Sequence, residues 1–381
     1  MNKGVQYVTK DIVKREIRFA IHLPKTDYRE DTHYIRETVH YKDGTSAPNG
    51  YLVKNYMRPI WVTAANFRNH KEKKEFEYVD RLMMKQSTQS DLNRTVANLL
   101  GTPHLATNRN AIKDSPYLYG YDLSSTSLIK LKSLEKNNSI QSAYTVAFAD
   151  IETNPGTGEV LLATITYGKK AHTSILAKFV KNIPDVQRRL DAAILKYLPA
   201  YTDLDISITI CKTEVDLIKD MFSVANRWAP VFMSFWNMNY DIPFLLDRLK
   251  HYGVNPTTVM CDTSIPREYR FCRYKQGISK KVTASGAVKP INPSLQWHTL
   301  ILTAPFYVID SMCVYRQLRM TAQEEPSYSL DAILGKELQK GKLKFREADG
   351  FSGLNWHYFM QESYPIEYIV YNIYDCLGMA E

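Results

Sequence analysis

Residues 146–160 read VAFADIETNPGTGEV, an apolar run that ends in two carboxylates and breaks at a turn. Side chains two apart on a strand share a face, so Asp150 and Glu152 stand side by side where core residues ordinarily sit. Adjacent anions repel unless a cation lies between them, and a surface lysine, a solvent counterion or a catalytic metal ion would each serve.

Working outward, AYTVAFADIET, LLATITYG and HTSILAKFV read as three strands, the first two joined by the turn NPGTGEV, an antiparallel meander. Helices follow. DVQRRLDAAILKYL stripes Val186, Leu190, Ile194 and Tyr197 on one face. TEVDLIKDMFSVANRW starts with a Thr213 to Asp216 capping box and stripes Val215, Ile218, Phe222 and Ala225. PVFMSFWN reads as a strand, and IPFLLDRLKHYG as a helix closed by Gly253. A meander followed by alternating strands and helices predicts an α/β (α+β) unit with a mixed sheet flanked by helices, the layout of ribonuclease H-like nucleases.

Before it lies a smaller mixed domain with β-type runs such as YLVKNYMRPIWVTA and a charged helix candidate, NHKEKKEFEYVDRLMM, where Phe76, Val79 and Met83 recur at helical spacing. Its lysines read as a solvated face. The polar stretch KLKSLEKNNSIQS places the boundary near residue 140, giving domains 1–140 and 141–381.

The chain has 381 residues, 44% hydrophobic and 12% aromatic, enough for two or three packed domains. No apolar run approaches the ~20 residues that span a bilayer, the start lacks a secretory pattern, and none of the five cysteines falls in a Cys-x-x-Cys pair. A cytoplasmic protein without membrane contact, zinc ribbon or disulfide framework is expected. The net charge of +9 favours a polyanionic partner.

Two further acidic signals stand downstream. In FWNMNYDIPFLLDRL, Asp241 falls at a helix start, four residues after Asn237, where an Asp ordinarily caps. In EYIVYNIYDCLG, Tyr371 and Asp375 are four apart and share a helix face. Each alone is commonplace. Their order, Asp-x-Glu, then Asn-x-x-x-Asp, then Tyr-x-x-x-Asp, is not.

That series resembles the three motifs of the tyrosine-type DEDD 3′-5′ exonucleases, as found in the proofreading domains of family B DNA polymerases. EEPSYSLDAIL, GKLKF and YNIYD make the likeness strongest to the polymerases of T-even-like bacteriophages, over roughly residues 144–381, and RPIWVTAANFRNHKEKKEFE extends it more loosely. The Asn237 to Asp241 spacing is one residue shorter than in most family B polymerases.

The resemblance implies a phage proofreading exonuclease, in the cytoplasm of a bacterial host, using two Mg²⁺ (or Mn²⁺) ions to cleave terminal phosphodiesters. Hard cations take carboxylate oxygens. Asp150 would bridge the two ions, Glu152 and Asp375 would hold the one that activates water, and Asp241 the one at the leaving group. Tyr371 would orient the water, and Lys342 would face the scissile phosphate. Asp331 reads as a helix-start residue and Asp310 as structural. The DNA partner is a single-stranded or frayed 3′ primer end.

REYRFCRYKQGISKKVTASGAVK interleaves Tyr269, Phe271 and Tyr274 with Arg267, Arg270, Arg273, Lys275, Lys280 and Lys281, the mix expected where bases stack and phosphates are neutralised. In the resembling polymerases a hairpin here helps part primer from template. No SLYP-type or DTDS-type polymerase motif occurs. A split polymerase subunit or polymerase fragment is therefore expected, with a palm, fingers and thumb partner docking near residue 381. The alternative is a non-catalytic nucleic-acid-binding or polymerase-docking subunit.

Overall fold

The computed structural model describes residues 11–68, 82–102, 115–137 and 143–381. The chain divides into two compact units, Met1–Ser142 and Ala143–Glu381.

In the first unit, β1 (Ile12–Leu23), β2 (Thr32–Tyr41) and β3 (Ser46–Lys54) form an antiparallel sheet in that order. A second sheet takes β4 (Arg58–Thr63), β5 (Leu82–Ser87) and β6 (Leu118–Tyr119) in the order β5-β4-β6. YLVKNYMRPIWVTA is thus two strands, broken where Asn55 turns to φ 48°. Helix α1 (Leu92–Leu100) buries Val96 and Ala97 against Ile60, and α2 (Ser125–Asn137) packs Ile129 onto Ile17, Ala20 and Ile35.

The charged helix candidate falls mostly outside the described residues. Its last residues, Leu82–Met84, lie in strand β5, where Met83 pairs with Val62. Of the polar stretch 130–142, Lys130–Asn137 belong to α2, so that part is helix and not linker.

The second unit is built on a mixed six-stranded sheet, β10-β9-β8-β7-β11-β16. Strands β7 (Val146–Thr153), β8 (Val160–Tyr167) and β9 (Lys170–Leu176) form the expected antiparallel meander. Asn154 closes its first turn, accepting through Oδ1 from the Gly156 and Thr157 amides at 2.9 Å. β10 (Asp205–Cys211) pairs parallel to β9, and β11 (Phe232–Phe235) lies parallel to both β7 and β16 (Tyr307–Asp310). Strand β10 was not singled out from sequence, although Asp205, Ser207 and Thr209 alternate there with Ile206, Ile208 and Ile210 as in a strand covered on one face.

Helices α3 (Val186–Tyr197), α4 (Glu214–Trp228), α5 (Met238–His251), α6 (Ser311–Leu318), α7 (Leu330–Leu338), α8 (Gly353–Ser363) and α9 (Pro365–Ala380) surround this sheet. The anticipated stripes are buried except at Tyr197 and Val215, which are partly buried, and α4 buries Leu217, Met221 and Val224 besides, because it packs on β8, β9 and β10. Thr213 caps α4 by accepting from the Asp216 amide at 3.1 Å. Gly253 ends α5 at φ 66°, a left-handed conformation that suits a residue without a Cβ. Between α5 and β15 (Thr299–Leu302), β12 (Cys272–Lys275) pairs with β15, and β13 (Lys280–Val282) pairs with β14 (Val288–Pro290) as an exposed hairpin. This is a mixed sheet flanked by helices, consistent with a ribonuclease H-like exonuclease fold. Among the described residues no helix is long and apolar enough to cross a membrane.

Candidate active site

Three elements bring the acidic residues together. Strand β7 carries Asp150 and Glu152 on one face; α5 presents Asp241 from its first turn; α9, packed against β7 and β8, contributes Tyr371 and Asp375. One oxygen from each of Asp150, Glu152 and Asp375 lies within 4.8 Å of the others. Asp241, 4% exposed, lines the same cleft without joining that tight group.

The cleft has a volume of about 540 Å³ and includes Asn237, Asp241, Lys342, Tyr371 and Asp375 in its wall. Its lining carries five carboxylates, the fifth being Asp331, against one lysine. Lys342 donates to the Tyr371 hydroxyl at 2.9 Å and to Asp375 Oδ2 at 2.5 Å.

Asp241 does not cap its helix. Asn237 occupies the cap position of α5 but makes no side-chain cap bond. The first amide, that of Met238, is instead satisfied by Asp310 Oδ2 at 2.9 Å. Asp310 pairs with Phe235 in the parallel β11/β16 ladder, which brings it to the start of α5, and it also caps its own helix by accepting from the Cys313 amide at 3.1 Å. Burial raises its pKa to about 6, against the pull of these amides. Asp331 lies in the first turn of α7, where Ser329 is the cap, and accepts from the Lys342 amide at 2.7 Å. It thereby fixes the loop that aims the Lys342 side chain.

Several residues that hold the carboxylates were not singled out from sequence. Asn372 donates to Asp150 Oδ2 at 2.7 Å. The Tyr368 hydroxyl donates to Glu152 Oε2 at 2.5 Å, and Gln361 donates to that hydroxyl at 3.1 Å and to the Thr153 carbonyl at 2.9 Å. His357 Nδ1 lies 2.8 Å from the same hydroxyl. A signal existed for two of these: Tyr368, Tyr371, Asn372 and Asp375 recur at the three- and four-residue steps of one helix face. Gln361 and His357, on the preceding helix, carried none.

Burial, and after it the neighbouring carboxylates, pushes Asp150, Glu152 and Asp241 above the usual carboxylate range. Asp375 is also raised by burial, although Lys342 opposes the shift. Burial disfavours the Lys342 ammonium, but Asp375, Tyr371 and Asp150 outweigh it and raise its pKa. The Tyr371 hydroxyl is raised too, by burial and then by Asp375. It stays protonated at neutral pH.

This donor set fits hard divalent cations. All candidate ligands are carboxylates, their mutual repulsion exceeds what one ammonium neutralises, and Asp375 Oδ1 is buried without a hydrogen-bond partner among the described residues. Ions held by Asp150, Glu152, Asp241 and Asp375 would relieve both the repulsion and the unpartnered oxygen.

The basic segment lies apart from the lining of this cleft. Arg270 turns back on its own loop, donating to the carbonyls of Ile265 at 2.8 Å and Thr263 at 2.7 Å. The ring of Tyr274 lies nearly coplanar with His298 (3°, centroids 6.1 Å apart), and its hydroxyl bonds to Asn239 and to His298, so Tyr274 braces its own segment. Arg273, Lys275, Lys280 and Lys281 are exposed.

Comparison with known proteins agrees with this geometry in part of the chain. No curated protein sequence matches. Residues 119–291 match the model of the DNA polymerase family B exonuclease domain, a span that includes Asp150, Glu152 and Asp241 and stops short of Lys342, Tyr371 and Asp375. The match supports a family B exonuclease domain, hence a nuclease, in this part of the chain; domains of that family act on DNA and use divalent metals.

Proposed function

We propose that the second unit is a proofreading exonuclease that shortens a frayed or mismatched 3′ primer end during phage DNA replication, releasing nucleoside monophosphates. The observation that carries this reading is the convergence of Asp150, Glu152 and Asp375 to within 4.8 Å, with Lys342 and Tyr371 hydrogen-bonded beside them in an open cleft.

Asp150, Glu152, Asp241 and Asp375 would hold two Mg²⁺ or Mn²⁺ ions, which would supply the charge neutralisation and water activation that phosphodiester hydrolysis requires. Lys342 occupies one lone pair of the Tyr371 oxygen, so Tyr371 keeps its proton to donate to the attacking water or a phosphate oxygen. With its pKa raised, Tyr371 positions and does not act as base. The Lys342 ammonium adds positive charge where the scissile phosphate gains negative charge. Tyr240, half exposed and stacked on Phe244 at the cleft wall, offers a face to the terminal base. Arg273, Lys275, Lys280 and Lys281 would neutralise backbone phosphates of the approaching strand.

Polymerising chemistry would come from a partner carrying palm, fingers and thumb. An apolar groove lined by Leu318, Ile333, Leu334 and Met379, with Leu318 76% exposed, supports such docking.

The test is digestion of a 5′-labelled primer on template, with matched or mismatched 3′ ends, by wild type and by Asp150→Ala/Glu152→Ala. Stepwise 3′ shortening in Mg²⁺, faster on the mismatch and lost in the variant and in chelator, is expected. A folded, DNA-binding wild type that leaves every primer intact, alone and with its polymerase, would overturn the proposal.

A further inference from the structure

The first unit holds a second group of metal-type donors that exonuclease chemistry does not use. His22 on β1 and His33 on β2 stand directly opposite each other in the antiparallel register, and Asp31 sits at the bend just before β2. One donor atom from each of the three lies within 4.8 Å of the others. His22 Nε2 is 3.0 Å from Asp31 Oδ2, and the two imidazole centroids are 4.9 Å apart.

A hydrogen-bonded structural cluster would account for part of this. Asp31 Oδ2 accepts from the Ser90 amide at 2.7 Å, and His33 Nε2 lies 2.7 Å from Ser125 Oγ. It does not account for Asp31 Oδ1. That oxygen belongs to a residue 1% exposed and has no hydrogen-bond partner among the described residues. An unsatisfied buried carboxylate oxygen is destabilising unless a cation or donor reaches it. The Ser90 and Ser125 contacts correspond to the outer hydrogen bonds that orient ligands around a metal.

We propose that His22, Asp31 and His33 form a three-ligand site for a divalent transition-metal ion of the zinc class, with its fourth position open to solvent beside His22. The His22 side chain is 21% exposed, which gives an ion and a water molecule access. Two imidazoles and one carboxylate select borderline ions such as Zn²⁺, whereas the all-carboxylate cleft selects Mg²⁺. Donor atoms around a tetrahedral zinc lie roughly 3.3 Å apart; these lie within 4.8 Å of one another, with His22 Nε2 and Asp31 Oδ2 already at 3.0 Å, so side-chain shifts of no more than about 1 Å complete the site. The bound ion clasps β1 to β2 and, through Ser125 and Ser90, fastens them to the start of α2 and the loop before α1.

The site is tested by titrating Zn²⁺ into the metal-stripped full chain in excess Mg²⁺, against a chromophoric chelator. Three proteins are compared: wild type, His22→Gln and Asp150→Ala/Glu152→Ala. His22→Gln alters the most exposed ligand, and Asp31→Asn, which retains an acceptor for the Ser90 amide, serves as the second variant should His22→Gln unfold. One equivalent of Zn²⁺ is expected in wild type and in the Asp150/Glu152 variant, with affinity at least 100-fold weaker in His22→Gln or Asp31→Asn. Co²⁺ substitution should give visible d–d bands that the same variants lose. Zinc lost only in the Asp150/Glu152 variant would place it in the nuclease cleft and overturn the proposal. So would stoichiometric binding to none of the proteins, which would leave the cluster as a hydrogen-bonded triad.

Discussion

The Tyr368 hydroxyl donates to Glu152 Oε2 at 2.5 Å, from a point two turns ahead of Asp375 on the same helix. One helix thus supplies an acidic residue of the cleft and also the group that orients its neighbour on β7. Tyr368→Phe keeps the ring near Tyr371 and removes that bond together with the hydroxyl's contacts to Gln361 and His357. The Mg²⁺ concentration for half-maximal exonuclease rate should rise about tenfold or more, as for other partners of metal ligands. A rate-against-Mg²⁺ curve superimposable on wild type would show that Tyr368 only fills space.

Lys342 is the single ammonium among five carboxylates in the cleft wall. Its replacement in Lys342→Met should lower metal-free stability by about 2 kcal/mol, less than the 3–5 kcal/mol of a fully buried pair because the Lys342 side chain is 29% exposed. Added Mg²⁺ should restore most of that loss, while the rate stays about 100-fold or more below wild type. Urea unfolding in chelator and in Mg²⁺, beside single-turnover digestion, separates the two effects.

Asp150 and Glu152 have folded-state pKa values above their unfolded ones, with burial the largest cause for both. Between the ordinary carboxylate range near about 4 and those raised values, the metal-free folded state binds more protons than the unfolded chain. Stability of the metal-free protein should therefore fall as pH rises from about 4 through neutrality. Asp150→Asn/Glu152→Gln should flatten the slope. Mg²⁺, which needs the ionised carboxylates, should stabilise wild type increasingly over the same interval. Thermal melts across pH, with and without metal, check both signs.

Lys280 and Lys281 lie on the exposed β13 of a hairpin outside the catalytic cleft. If they neutralise phosphates, Lys280→Ala/Lys281→Ala should weaken binding to single-stranded DNA and reduce the slope of log affinity against log salt by about 0.7 per lost contact. Cleavage of a saturating short substrate should hardly change. An unaltered salt slope would assign the hairpin to another surface.

The sequence by itself determined what depends on local pattern. Alternation from Val146 to Glu152 places two carboxylates on one strand face; the turn at Asn154, the Thr213 cap, the Gly253 stop and the Tyr371–Asp375 face each follow from residues a few positions apart. Tertiary structure decided what depends on partners far along the chain. The local pattern around Asp241 alone reads as a helix cap, and only the family resemblance made it a candidate ligand; it lines the cleft, while Asp310, some 70 residues later, reaches the Met238 amide across the β11/β16 pairing. Tyr274 meets Asn239 and His298 through its hydroxyl, partners 35 and 24 residues away. Gln361, His357 and the opposed imidazoles of His22 and His33 follow from helix packing and strand register. Period and propensity describe what a residue does to its own segment; which distant group meets its side chain is set only when the segments pack.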